Sequence, residues 1–121
     1  MNDVERFRET MLGFPEVTEE TPFGPEVLVY KVAGKMFATL VPEEVPVPMN
    51  LKCDPERALD LRDEYEAIEP GYHMNKRHWN TLRLDGRLGD DFVVELIGHS
   101  LELVLAGHTK VVRERVRKAM E

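Results

Sequence analysis

The stretch from Asp90 to Gly107 is the longest helix the chain can build, and it constrains the fold more than any other segment. Placed at 100° per residue, Phe92, Val93, Leu96, Ile97, Leu101, Leu103 and Val104 span a broad arc. Val94 and Leu105 widen that arc past half the circumference, so the helix must be packed on more than one side. His99 falls at its border. With 121 residues there is room for one core and not two, which makes residues 1–121 a single domain built against this helix.

The other segments supply strands. Val27 to Val32 is a β-branched run, Ala33-Gly34-Lys35 is a turn that uses glycine's tolerance of positive φ, and Met36 to Val41 reads as the returning strand. Residues 16–26 are acidic and broken by Pro22, Gly24 and Pro25, the pattern of an edge strand or extended loop. The three prolines of 42–48 remove backbone donors and are expected to stop the sheet pairing. Met49, Leu51 and Cys53 then alternate with Asn50 and Lys52, the period of a half-buried strand. Trp79 to Leu84 reads as another strand, after a turn at Pro70-Gly71 and a loop over 72–78.

Helices frame these strands. Asp3 can cap a first helix that returns Val4, Phe7 and Met11 at helical spacing and ends at Gly13 and Pro15. Asp54-Pro55 pairs a cap residue with a proline at the first helical position and starts a helix to about Tyr65. Residues 110–121 form a short basic terminal helix, with Val112, Val116, Ala119 and Met120 on one stripe. Strands joined by tight turns, with helices before and after, give a two-layer α+β fold: an antiparallel sheet with helices packed on one face. Trp79, Phe92, Leu96 and Leu103 are expected to be mostly buried between the long helix and the sheet.

Composition narrows the function classes. Hydrophobic residues make up 42% and charged residues 32%, which suits a folded globule. No apolar run approaches the roughly 20 residues that cross a bilayer, and the first residues lack the basic start and apolar core of a signal peptide. A single cysteine, Cys53, excludes an internal disulfide, so the expected location is cytoplasmic, with no membrane partner. Net charge is −7: residues 1–109 carry 11 basic and 21 acidic side chains, and residues 110–121 carry 5 and 2. Affinity for nucleic acid comes largely from neutralising phosphates, so that balance argues against it except through local patches.

The most suggestive patch is residues 72–87. Lys76, Arg77, Arg83 and Arg87 stand there against Asp85 alone, interleaved with Tyr72, His73, His78 and Trp79. Cations beside aromatic faces can hold phosphates and stack bases. The same residues are also explained by a tryptophan anchor, local asparagine hydrogen bonds and solvated cations. Nothing points to catalysis or to a cofactor. Ser100 is the only serine and sits mid-helix without a nucleophile elbow, and Cys53 alternates inward as a buried thiol. His73 and His78 lie on a loop remote from Cys53, with no metal-binding spacing. The acidic segments 54–69 and 16–26 are the alternative: surfaces through which a protein partner is bound.

Several blocks resemble the MmcQ/YjbR family. They are Phe14-Pro15-Glu16, Thr21-Pro22-Phe23-Gly24, Lys31 to Ala38, Leu51 to Glu56, the run Pro70 to Thr81 and Leu84-Asp85-Gly86, in family order across residues 7–105. The resemblance implies a compact α+β fold similar to bacterial frataxin and a DNA-binding "double wing" role, for which Tyr72, His73, Lys76, Arg77, His78, Arg83 and Arg87 are the candidate contacts. Beyond Ala106 the sequence departs from the family pattern. The acidic ridge by which frataxins hold iron is not reproduced, since Asp3, Glu5 and Glu9 alternate with Arg6 and Arg8.

Overall fold

The computed structural model describes all 121 residues. Asp3 caps α1 (Val4–Leu12) by accepting the Arg6 N–H at 3.0 Å, and Asp54 does the same for α2 (Pro55–Glu64) through Arg57 N. The long helix is α3 (Asp90–Ala106), and α4 (Lys110–Ala119) follows with Thr109 as its cap. Six strands run between them: β1 (Val17–Glu20), β2 (Leu28–Val32), β3 (Lys35–Leu40), β4 (Val47–Lys52), β5 (Ile68–Pro70) and β6 (Trp79–Leu84). They form one antiparallel sheet in the order β1-β2-β3-β4-β6-β5. The fold is α+β.

Alternation along the strands sorts the sheet into two unlike faces. Tyr30, Val32, Ala38, Leu40, Met49, Leu51, Leu82 and Leu84 share one face and enter a single cluster of 24 buried residues. All four helices feed that cluster, through Phe7 and Met11, Ala58 and Leu61, the apolar arc of α3, and Val116. The helices therefore lie on one face, and the other face is left without a helical layer.

One hydroxyl closes the sheet where its ladder fails. Phe37 is an extra residue in the β2–β3 register, so it and Ala38 both turn into the core opposite Tyr30. Beyond the Ala38–Leu51 pair the β3–β4 ladder stops. Ser100, fully buried on α3, fills the gap: Lys52 N donates to its Oγ at 2.9 Å, and that hydroxyl donates to Phe37 O at 2.6 Å.

Three expectations are corrected. Pairing survives into the proline-rich segment as far as Val47, opposite Leu84; Pro48 lies opposite Arg83 and accepts from Val41 N at 3.3 Å. Its missing donor falls at the start of the strand, where little of the ladder is lost. Residues 68–70 form β5, which had no pattern of its own and exists because β6 offers an edge. Trp79 is mostly buried as expected but lies outside the core cluster, because Asn80, Leu82 and Leu84 take the core-facing parity of β6. Phe92 and Leu103 are mostly buried and Leu96 fully so, as expected. Phe92 packs at the rim against Tyr65, with ring centroids 5.1 Å apart.

Candidate functional site: the uncovered face of the sheet

The helix-free face carries a row of polar side chains. Thr39 on β3, Asn50 on β4 and Thr81 on β6 are directly opposite one another in register. Asn50 Nδ2 donates to Thr39 Oγ1 at 3.1 Å, and the Thr81 hydroxyl donates to Asn50 Oδ1. Thr81 Oγ1 in turn accepts the backbone N–H of Tyr72 at 2.9 Å. That last bond folds the β5–β6 loop back over the sheet. Thr39 and Thr81 end up only 7% and 1% exposed although no helix covers them.

Two loops wall in this row and enclose a groove of about 740 Å³. The β1–β2 connection contributes Phe23 and Val27, and the β5–β6 loop contributes Tyr72, His73 and Met74. Met36 and Pro48 add apolar surface, and Arg83 and Glu44 stand among the lining. Phe23 and Tyr72 are 72% and 63% exposed, large apolar surfaces displayed at the groove and not packed away. The Tyr72 and His73 rings lie 4.0 Å apart between centroids. His73 adopts φ 59°, a conformation that costs a non-glycine residue energy and clusters at functional sites.

The loop that carries these rings is pinned from behind by α2. Arg62 donates to Asn80 Oδ1 at 2.7 Å, to Trp79 O at 3.3 Å and to Lys76 O. Lys76 Nζ closes the loop on Gly71 O at 3.0 Å. Gly71 has to be glycine, because a Cβ there would lie 2.8 Å from the Trp79 side chain and 2.9 Å from its carbonyl.

The candidate contacts of the sequence divide on this surface. Tyr72, His73 and Arg83 line the groove, whereas Lys76, Arg77, His78 and Arg87 do not. Arg83 is engaged by Glu69 through Nε at 3.3 Å and Nη2 at 3.2 Å. Arg87 pairs with Asp85 at 2.7 Å and reaches Glu66 at 3.8 Å, which holds the Asp85 carboxyl below its ordinary range. Lys76 and Arg77 are the two cations of the set without a carboxylate partner. His78 is half-buried, and its carbonyl accepts from Cys53 N at 2.8 Å. The acidic 16–26 segment is largely neutralised within the fold, with Glu16 on Arg115, Glu19 on Arg8 and Glu20 on Lys31.

Reactive side chains are placed away from the groove. Cys53 is buried beneath the helices, and desolvation pushes its thiol up to about 11. Ser100 spends its proton on Phe37 O. No three His, Cys, Asp or Glu side chains converge to hold a metal ion, and no helix is long and apolar enough to cross a membrane. Phe23, Thr39, Asn50 and Thr81 are groove residues that sequence reasoning missed. Phe23 was visible as an apolar residue in a Pro/Gly-broken acidic loop. The polar row was not, because it exists only once β3, β4 and β6 are in register.

Comparison with known proteins places this geometry in a family. A family model described as YjbR matches residues 12–103. The chain belongs to the YjbR family. It is 40% identical to the Escherichia coli O157:H7 protein YbdF over 114 residues, 93% of either chain. It is 36% identical to E. coli K12 YjbR over 72 residues, covering 60% of this chain and 61% of that one. The crystal structure of Deinococcus radiodurans protein DR2400 superposes with a TM-score of 0.89 at 37% identity, covering 96% of this chain and 88% of that one. A Pseudomonas syringae crystal structure gives 0.71 at 29% identity, over 85% and 98%. The YjbR match ends inside α3, whereas the likenesses to YbdF and DR2400, over 93% and 96% of this chain, extend into α4.

Proposed function

We propose that this YjbR-family chain is a non-catalytic binding module whose recognition surface is the helix-free face of its sheet. The observation that carries this reading is the groove of about 740 Å³, with a polar floor and exposed aromatic walls. That volume lies within the roughly 300–1,000 Å³ of small-ligand sites, which combine apolar walls with a few placed polar groups. The burial of Cys53 and the engagement of Ser100 support the absence of a nucleophile. The test is a fragment screen read in the ¹H–¹⁵N spectrum of the full chain. Shifts should gather on Tyr72, Thr39, Asn50 and Thr81. Hits scattered over the helical face, or none at all, would sink the reading.

A second reading is DNA binding, as the resemblance implies, and Lys76 and Arg77 favour it because both are exposed without a carboxylate partner. It commands less charge than the sequence promised, since Arg83 and Arg87 are neutralised by Glu69, Asp85 and Glu66. Duplex DNA added to the same labelled chain separates the two. DNA contact would move the amides of 75–78 and leave Thr39 and Asn50 unmoved.

A further inference from the structure

Resting on the binding-module reading, we propose that the groove takes an uncharged, flat heteroaromatic ring with carbonyl or ring-nitrogen acceptors, a nucleobase or nucleoside. The polar row indicates which hydrogen-bonding groups the ligand must bring. The Tyr72 backbone N–H donates to Thr81 Oγ1, the Thr81 hydroxyl donates to Asn50 Oδ1, and the Asn50 amide donates to Thr39 Oγ1. The row ends on the Thr39 hydroxyl proton, and the second hydrogen of the Asn50 amide is also without a protein acceptor. Both spare groups are donors. A ligand that displaces water from this floor must give these donors acceptors in its place, so the complementary ligand presents acceptors to it.

The walls set the shape. Tyr72 is met on one side by the His73 ring, tilted 45° to it, and is otherwise exposed, and Phe23 displays another bare ring. Flat rings stack on such faces with little regard for their substituents. Met36 and Met74 supply apolar surface that adapts to a ring's outline.

Charge sets the last requirement. The one guanidinium in the lining is held by Glu69, Glu44 adds a negative charge, and the whole chain carries −7. A phosphate or carboxylate would meet no free cation. The ligand is therefore neutral.

The experiment titrates the labelled full chain with adenosine, uridine and their 5′-monophosphates. A nucleoside should saturably shift the Asn50 side-chain amide and the Tyr72 amide, and its monophosphate should bind about tenfold more weakly. Tyr72→Ala removes an exposed ring and leaves the fold intact, and it should weaken nucleoside binding about tenfold. Thr39→Val should weaken it too, with the rest of the spectrum unchanged. Glu69→Gln frees Arg83 and should narrow the gap between nucleoside and monophosphate. A monophosphate that binds the unaltered chain as tightly as its nucleoside, or a Tyr72→Ala chain that binds unchanged, overturns the proposal. If neither nucleoside shifts these amides but cyclohexanol does, the ligand class falls and the binding module stands. If no probe shifts them, both fall.

Discussion

The most constrained polar residue of the fold is Glu19, and it works for stability. On edge strand β1 its carboxylate accepts the Tyr30 hydroxyl at 2.5 Å and Arg8 through Nε at 3.3 Å and Nη2 at 3.1 Å. Burial opposes ionisation there, but the Tyr30 hydrogen bond and the Arg8 pair outweigh it and hold Glu19 below its usual 4.5. Burial, reinforced by Glu19, pushes the Tyr30 phenol well above its ordinary value. A carboxylate depressed by folding contributes stability that is present above its unfolded pKa and lost as pH falls through its folded one. Glu19→Gln should therefore cost about 1–3 kcal/mol near neutral pH, and its deficit should shrink below 4.5. Urea melts of both chains at neutral and acidic pH check this; a deficit that stays constant with pH would remove the ionic part of the argument. Cys53 gives a second test at this scale. With its thiol pushed to about 11 by burial, it should resist alkylation in the folded chain at mildly alkaline pH and react at once in denaturant. Rapid labelling of the folded state would contradict the assigned burial.

Among elements, hairpin β2–β3 and the β5–β6 loop carry their geometry in single residues. Ala33 and Gly34 both have positive φ, 46° and 85°, the demand of a two-residue I′ turn. Asparagine adopts that conformation at lower cost than alanine, so Ala33→Asn should stabilise the chain by about 1 kcal/mol, read from its thermal melt. Arg62 is the corresponding support of the loop. Removing its bonds to Lys76, Trp79 and Asn80 by Arg62→Met should cost about 1–2 kcal/mol and expose Trp79, seen as a red-shifted emission. An unshifted spectrum would mean the loop is held otherwise. These cases also show what could be read beforehand. Caps at Asp3 and Asp54, the turn at 33–35, the strand 79–84 and both C-terminal helices depend on local chemistry, and all were legible. Parity was not: alternation shows that Trp79, Thr81 and Arg83 share a face, but it does not say which face the helices cover. The large indole drew the core to the wrong side, although Leu82 and Leu84 pointed the other way. β5 is three residues long and has no period to read. The groove floor depends on long-range register, and the neutralisation of Arg83 depends on Glu69 lying on the neighbouring strand.

At the scale of the whole molecule, the electrostatics that disfavour an anionic ligand in the groove also limit what DNA can gain. Two of the four cations of the 72–87 segment, Lys76 and Arg77, have no carboxylate partner, so contact with duplex DNA would neutralise about two phosphates. The logarithm of affinity should then fall against log salt with a slope near −2, where four free cations would give nearer −4. Glu69→Gln with Asp85→Asn releases Arg83 from its partner and Arg87 from the nearer of its two. This pair of changes should steepen the slope toward −4 if the segment lies along the phosphate backbone. It also reduces the acidity of a chain that carries −7, so the intercept should rise as well. Lys76→Ala with Arg77→Ala should abolish the slope for every sequence alike, because phosphate contacts position without specifying. Long-range repulsion from the acidic body reaches only about 8 Å at physiological salt. A failure to bind at physiological salt would then lie with the local patch. If the charge-released variant also fails to bind there, the 72–87 segment is not a DNA contact, and its aromatic residues are left to the groove.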